Sequence, residues 1–157
     1  MIKIMPVFGT RPEAIKLAPV IRALQGCPWA RVVVCVTAQH RELLDQVLKV
    51  FDIRQDHDLD IMTTEQDLYD VTYRVLMGLR ELLCKEKPDL VLVPSKPSHG
   101  VVEATSIAAI EAMACGTPVI VSAIGGLAEL VTSGYNGLTV PADDVKYIAN
   151  TLLPARN

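Results

Sequence analysis

Residues 31–37 read RVVVCVT, a run in which apolar and mostly β-branched residues follow one another without alternation. A strand that is apolar on both faces is typical of a parallel sheet covered by helices on both sides. Similar short apolar runs occur at residues 2–8, 90–93 and 119–122. Because helical patterns separate these runs, the sequence predicts an α/β fold.

The pattern along the whole chain alternates between strands and helices. The predicted strands are 2–8, 31–37, 59–62, 90–93, 119–122 and 138–140, and the predicted helices are 10–24, 41–51, 63–87, 105–115, 127–132 and 143–153. Thr63 and Gln66 have the spacing of a capping box, which places the start of the long helix there. Six strands joined in this way predict one doubly wound Rossmann-like domain over residues 1–157, a six-stranded parallel sheet of order 3-2-1-4-5-6.

Composition and charge exclude several classes of protein. The 157 residues are 50% hydrophobic and 4% aromatic, and 15 Lys and Arg against 18 Asp and Glu give a net charge of −3. Without a basic stripe, nucleic-acid binding is disfavoured. No apolar run is long enough to span a membrane and no signal peptide is recognisable, so we expect a cytoplasmic protein. The four cysteines lack CxxC spacing, so we expect free, buried thiols and neither a metal nor another cofactor.

The predicted topology also locates the ligand site. In doubly wound sheets, ligands bind outside the carboxyl ends of the strands, at the point where the strand order reverses. Here that point lies between the first and fourth predicted strands. The loops that follow these strands, residues 9–11 and 94–105, are therefore the candidate binding loops.

The first loop opens a helix. Thr10 and Glu13 have capping-box spacing, and the free N–H groups of a helix N-terminus attract anions. With Arg11 beside them and Lys16 one turn along, they could hold a diphosphate. The alternative is a well-capped helix that carries two solvated cations. The glycine pattern is not GxGxxG, which disfavours NAD and FAD.

The second loop carries two carboxylates eight positions apart. Glu103 precedes the predicted helix and Glu111 lies in its second turn. The backbone N–H groups near Ser106 and Ile107 would bind an anion, and a carboxylate beside them would accept hydrogen bonds from sugar hydroxyls. The alternative is a solvated Glu103 and a Glu111 that satisfies a neighbouring helix end.

Two family resemblances divide the chain. Residues 1 to about 93 resemble the N-terminal half-domain of the non-hydrolysing UDP-N-acetylglucosamine (UDP-GlcNAc) 2-epimerases, through the stretches VFGTRPEAIKLAPVI, VCVTAQHRELLDQVL and KPDLVLV. Residues from about 92 to 152 resemble the C-terminal half of the nucleotide-binding domain of retaining family-4 glycosyltransferases, through EATSIAAIEAMACGTPVIVSAIGGLAELV and GYNGLTVPADD. Both families have the GT-B architecture, in which two Rossmann-like domains face a cleft.

The resemblances imply a site for UDP or a UDP-sugar. The epimerase resemblance implies that Arg11 and Lys16 contact the UDP part of the ligand. That family carries its catalytic acid in a His-Gly-Asp-type segment after the fourth strand, whereas this chain has PSK at residues 94–96. The resemblance therefore implies no catalytic residue here.

The glycosyltransferase resemblance implies roles for the second loop. Glu103 and Glu111 have the E-x7-E spacing of that family, in which the first glutamate contacts the donor sugar and the second holds the nucleotide ribose. The backbone near Ser106 and Ile107 would then meet the diphosphate. The Lys and Arg that stabilise the leaving diphosphate in that family are missing from the corresponding position.

Three hypotheses follow. The first is an engineered or recombined chimeric scaffold, joined near residues 93–94, with no evolved catalytic activity. The alternatives are a residual module that binds UDP or a UDP-sugar, and an active UDP-GlcNAc 2-epimerase or glycosyltransferase. A homodimer is a further expectation, since separating a GT-B domain from its partner would uncover apolar surface.

Overall fold

The computed structural model describes residues 1–37, 41–95, 106–142, 144, 147–148 and 152. Within these residues it contains a parallel sheet flanked by helices. The strands are β1 (Ile2–Phe8), β2 (Ala30–Val32), β3 (Cys35–Val36), β4 (His57–Asp58), β5 (Leu90–Val93), β6 (Val119–Ser122) and β7 (Gly137–Val140). The helices are α1 (Arg11–Gln25), α2 (Arg41–Val50), α3 (Leu68–Glu86), α4 (Ile107–Ala114) and α5 (Gly125–Leu130).

The sheet runs in the order β4-β3-β1-β5-β6-β7, with β2 paired to β1, and all its described pairs are parallel. The α/β Rossmann-like class predicted from the sequence is therefore confirmed. Ile4 pairs with Leu90 and Val91 pairs with Val119, so β1, β5 and β6 form the centre of one continuous sheet. The predicted meeting of the first and fourth strands is present as the β1–β5 pair.

Strand count and strand order differ from the prediction at residues 31–37. The predicted single strand is two short strands, β2 and β3, which makes seven strands rather than six. The side chain of Asp56 causes the interruption, because its Oδ2 accepts a hydrogen bond of 2.7 Å from the backbone N–H of Val34. The carbonyl of Val34 accepts in turn from the N–H groups of Asp56 and His57, which moves β4 ahead of the predicted 59–62.

The long helix α3 begins at Leu68 and not at residue 63. Asp67 and Asp70 form the actual capping box, in which each side chain accepts a hydrogen bond from the other residue's backbone N–H, at 2.9 and 3.1 Å. The predicted Thr63–Gln66 pair is hydrogen-bonded at 2.7 Å, but it closes a turn that precedes the helix. Glu65 has a φ of 61°, which a right-handed helix does not tolerate.

Other boundaries shift slightly. α5 covers Gly125–Leu130 rather than 127–132, and α4 covers Ile107–Ala114 rather than 105–115. The predicted last helix, 143–153, lies largely outside the described residues.

Gly137 at the start of β7 is required by packing, because a Cβ there would lie 2.3 Å from the carbonyl oxygen of Val119.

Two apolar clusters cover the two faces of the sheet. Alternate residues of β1 enter different clusters: Ile4 and Phe8 pack with α1 and α2, whereas Met5 and Val7 pack with α3, α4 and α5. Burial on both faces explains why the central strands β1, β5 and β6 are mostly apolar. None of the helices in the described ranges is long and apolar enough to cross a membrane.

The cysteines differ from the expected buried thiols. All four are free, but only Cys35 is buried, while Cys27 is half-buried and Cys84 and Cys115 are exposed. Burial raises the pKa of the Cys35 thiol to about 12, with a smaller contribution from the Asp58 carboxylate. Cys35 is therefore a neutral, apolar part of the core.

Candidate functional site

A cleft of about 240 Å³ opens at the carboxyl ends of β1, β3 and β5. We call it the switch-point cleft, because the strand order reverses here. Its walls come from the starts of α1, α3 and α4. The lining residues are Val7, Phe8, Gly9, Glu13, Thr37, Leu68, Val71, Thr72, Val75, Val93, Ser106, Ile107 and Ala108.

The start of α1 already carries a carboxylate. Glu13 Oε2 accepts hydrogen bonds from the backbone N–H of Gly9, at 2.9 Å, and of Thr10, at 3.0 Å. The predicted capping box is thus present. Because the Glu13 carboxylate occupies these two donors, they are not open to a second anion at this helix start.

The start of α4 is different. Ser106 is the N-cap residue, has an extended backbone, and its side chain makes no capping hydrogen bond to the helix. Its carbonyl accepts from the N–H of Ile110 at 3.1 Å, which begins the helical bonding. The first N–H groups of a helix lack intrahelical partners, and those of Ile107 and Ala108 belong to residues that line the cleft. The N-terminus of α4 therefore has the geometry of an anion site.

Arg11 and Lys16 do not line the switch-point cleft. Arg11 is exposed and lines a separate hollow of about 250 Å³ between α1 and α2, beside Ile15 and Val50. Lys16 is half-buried, and its ammonium group donates a hydrogen bond to the carbonyl of Ala142, beyond β7. The structure therefore brings Ser106 and Ile107 to the cleft and places Arg11 and Lys16 away from its lining.

Neither of the two predicted glutamates is among the described lining residues of the cleft. Glu103 lies outside the described residues, as does the rest of the segment 96–105. Glu111 is half-buried on α4, where its charge contributes to raising the pKa of Cys115 at the opposite end of the helix. Glu111 is not among the described lining residues of the cleft.

Charged side chains are sparse in the described part of the cleft. Of the described lining residues, Glu13 alone carries a charge. Close to the cleft, Ser95 follows β5, is 1% exposed, and has a hydroxyl oxygen without a hydrogen-bond partner. Its backbone N–H donates to Ser122 Oγ at 3.1 Å. The described part of the cleft is therefore suited to binding, and it presents no pair of groups poised for proton transfer.

Sequence reasoning missed two parts of the cleft. The sequence predicts a helix that includes Leu68, Val71 and Val75, but it does not predict that this helix forms a wall of the cleft. Thr37 was also missed, although it directly follows the buried strand β3. The rule that ligands bind at the carboxyl ends of strands would have identified Thr37, whereas the position of the α3 wall depends on tertiary packing.

The chain is similar in sequence and structure to proteins named as UDP-GlcNAc 2-epimerases. The UDP-N-acetylglucosamine 2-epimerase of Escherichia coli (strain K12) is 53% identical over 107 residues, which are 68% of this chain and 28% of that protein. The crystal structure of UDP-GlcNAc 2-epimerase from Neisseria meningitidis bound to UDP-GlcNAc is 44% identical with a TM-score of 0.66, covering 76% of this chain and 32% of that one. The S. aureus MnaA–UDP co-structure is 40% identical with a TM-score of 0.68, covering 78% of this chain and 31% of that one.

These findings correct the first hypothesis. The expectation of an engineered chimeric scaffold without evolved activity is wrong, because the chain shares about half its matched residues with bacterial UDP-GlcNAc 2-epimerases. A match over 107 residues is longer than the 93 residues before the predicted junction, so the similarity extends past it. The chain spans about 28% of the length of the curated relatives it matches.

A family model places the chain in a wider group. The model described as Glycosyl transferases group 1 matches residues 65–155 and runs across positions 93–94 without interruption. The match includes α3, α4 and the strands between and after them, and so two of the three helices that form the cleft walls. Since the matched residues are more than half of its length, the chain belongs to the family of group 1 glycosyl transferases.

Proposed function

We propose that this chain binds UDP and UDP-GlcNAc in the switch-point cleft and serves UDP-GlcNAc 2-epimerisation. The observation that carries the proposal is the N-terminus of α4 at the carboxyl edge of the sheet, where Ser106, Ile107 and Ala108 line the cleft and the Ser106 side chain does not cap the helix. Relatives of this chain are named for that reaction, and solved structures similar to it hold UDP-GlcNAc or UDP.

The diphosphate is assigned to the start of α4. Its N–H groups and the positive end of the helix dipole favour negative charge, and such donors are strongest when the acceptor is ionised. At α1, by contrast, the Glu13 carboxylate holds the N–H groups of Gly9 and Thr10. A diphosphate there would have to displace a carboxylate of the same sign.

The remaining walls suit the less polar parts of the ligand. Val7, Phe8, Val71 and Val75 present apolar surface around the cleft. Its volume of about 240 Å³ is below the range of roughly 300–1,000 Å³ typical of small-molecule sites. The described cleft therefore accommodates part of a nucleotide sugar, and the proposal assigns it binding rather than proton transfer.

A single substitution tests the assignment to α4. Ile107→Pro removes one N–H donor at the first helical position, where proline is well tolerated. Ser106 already has the extended backbone (φ −117°, ψ 121°) that a residue before proline requires. Losing a hydrogen bond to a charged group costs about 1.5–3 kcal/mol, so UDP affinity in isothermal titration should fall roughly 10- to 150-fold.

The matched control is Ile107→Ala, which shortens the same side chain and keeps the N–H. It should retain UDP affinity to within about threefold, because surface and half-exposed truncations have small effects. Equal loss in both variants would refute a backbone contact at this position. Absence of UDP binding by the unmodified chain would refute the proposal itself.

Glycosyl transfer is the second candidate, and the family match over residues 65–155 is the observation that favours it. The two reactions are separated by their products. Incubation with UDP-GlcNAc would yield the manno epimer in one case, and free UDP in the presence of a sugar acceptor in the other. Two expectations stay predictions. One is that the ligand contacts Arg11, Lys16, Glu103 and Glu111, and the other is that two chains pair as a homodimer.

A further inference from the structure

An apolar stripe runs along the outer face of α3. Its members, Tyr69, Tyr73 and Met77, follow one another at four-residue spacing and are 85%, 64% and 47% exposed. The residues that α3 buries lie on the other side of the helix, against the core. Side chains at four-residue spacing lie one above the other on a helix, so the three form one continuous surface. Contiguous exposed apolar surface is typical of a protein–protein contact.

A row of four charged residues borders this stripe. Asp70, Arg74, Glu81 and Lys85 are all exposed. At 3.6 residues per turn they fall within about 60° of one another around the helix axis. Their spacing would allow two ion pairs within the helix, yet among the described residues none of the four takes part in an ion pair. The charges of the row are therefore not neutralised by contacts between described residues.

The signs of the charges make the row complementary to itself. They read minus, plus, minus, plus along the chain. The midpoint between positions 70 and 85 is also the midpoint between positions 74 and 81, and it lies beside Met77. In an antiparallel pair of α3 helices centred there, Asp70 faces Lys85 of the second copy and Arg74 faces Glu81. In a parallel pair in register, each charge would face its own copy and repel it.

We propose that two copies of this chain form a homodimer through antiparallel packing of their α3 helices. The two-fold axis passes beside Met77, so this side chain meets its own copy, and each ion pair occurs twice. The rings of Tyr69 and Tyr73 add apolar contact area on either side of the axis. The apolar stripe supplies the attraction, while the charge row selects the orientation and the register.

The size of the contact indicates how stable the dimer is. α3 has 19 residues and is therefore about 28 Å long. One pair of such helices covers less than the standard protein–protein interface of roughly 1,200–2,000 Å². We therefore expect a dimer that dissociates on dilution, with a Kd on the order of micromolar or weaker.

The test is sedimentation equilibrium of the full chain without nucleotide, from about 1 μM to about 1 mM. The unmodified chain should approach the mass of two chains as its concentration rises. Arg74→Glu places like charges opposite each other at two contacts, so the Kd should rise about tenfold or more. Glu81→Arg should have the same effect. The double variant with both substitutions restores opposite charges, and its Kd should return to within about threefold of the original.

Arg54→Glu is the matched control, because it makes the same change of charge at an exposed residue outside α3. Its Kd should equal that of the unmodified chain. Circular dichroism checks that each variant is folded, and if one single variant is not, the other and the double variant still decide.

Three outcomes would overturn the proposal: a monomer at every concentration, a dimer that neither single variant weakens, or a folded double variant as weak as the single ones. Because no nucleotide is present, none of them depends on whether the switch-point cleft binds UDP.

Discussion

The carboxylate of Glu13 accepts a hydrogen bond of 2.9 Å from the backbone N–H of Gly9, within the lining of the switch-point cleft. Glu13 thus stabilises the turn between β1 and α1 and also adds a negative charge to the cleft in which a diphosphate is proposed to bind, at the start of α4. These two roles have opposite consequences for the ligand.

Glu13→Gln separates them. The amide oxygen can still accept from the backbone, while the charge is removed, so UDP affinity should rise several-fold because like-charge repulsion is on the order of 1 kcal/mol. Isothermal titration at low and high salt measures the effect, which salt should reduce. Glu42→Gln on α2 is the control and should leave affinity unchanged; lost binding by folded Glu13→Gln protein would contradict this account.

Arg11→Ala compares the two helix starts as diphosphate sites. The residue is exposed and borders the hollow between α1 and α2, so the substitution should weaken UDP binding less than Ile107→Pro does. Titration of both variants under the same conditions gives the ratio. A loss of tenfold or more for Arg11→Ala alone would move the diphosphate to α1, as the epimerase resemblance implies.

Gly137→Ala tests the packing between β6 and β7. The added methyl group would lie 2.3 Å from the carbonyl oxygen of Val119, so the strands must separate. Urea denaturation should show a loss of about 1–3 kcal/mol, as for overpacked cores. Gly26→Ala is the control, since its nearest atom is 3.5 Å away, and it should change stability by less than about 1 kcal/mol.

Glu86 should make stability depend on pH. Its carboxylate lies 3.3 Å from Lys3 Nζ and 3.2 Å from His57 Nε2, and the hydrogen bond from Lys3, followed by that from His57, lowers its pKa. Because the pKa of Glu86 is lower in the folded state, its ionised carboxylate stabilises the folded protein at pH values above its unfolded-state pKa of about 4.3. This stabilisation is lost as the pH falls through the folded-state pKa. In the Glu86→Gln variant, the free energy of unfolding measured by urea denaturation should fall less steeply as the pH is lowered. The same pH dependence in the variant and the unmodified chain would contradict this prediction.

Cys35 should be inert in the folded chain. Its pKa of about 12 leaves almost no thiolate at pH 8, and it is buried between strands. A maleimide reagent should label Cys84 and leave Cys35 unmodified until denaturant is added. Labelling of Cys35 at the rate of Cys84 would show that β3 opens easily.

The sequence predicts the strands of the sheet well where a run of apolar residues is enough to define a strand. β5 is a continuous apolar run, β1 and β6 are apolar except for Lys3 and Ser122, and the predicted bounds of all three strands match the structure. It fails where one side chain competes with the backbone. Asp56 takes the N–H of Val34 and divides a strand, and nothing in the local pattern of residues 31–37 signals a partner twenty-two positions away.

The sequence predicts the position of the candidate site better than it predicts which residues form the site. The reversal of strand order predicts a cleft beyond β1 and β5, and the structure has one there. Spacing predicts part of the contrast between the two helix starts, because Thr10 has Glu13 three residues on as a capping-box partner, whereas Ser106 has Ala109 at that spacing. The difference arises from the Glu13 side chain, which folds back onto Gly9 and Thr10.

The most direct test of the central claim is an NMR titration of the isotopically labelled chain with UDP, followed through the backbone amides. We expect saturable shifts that are largest for Ile107 and Ala108, with smaller shifts at Val7 to Gly9. Shifts confined to the first turn of α1 would contradict binding at α4. The absence of shifts at millimolar UDP would also contradict it, since a Kd of 1 mM corresponds to only about 4 kcal/mol of binding free energy.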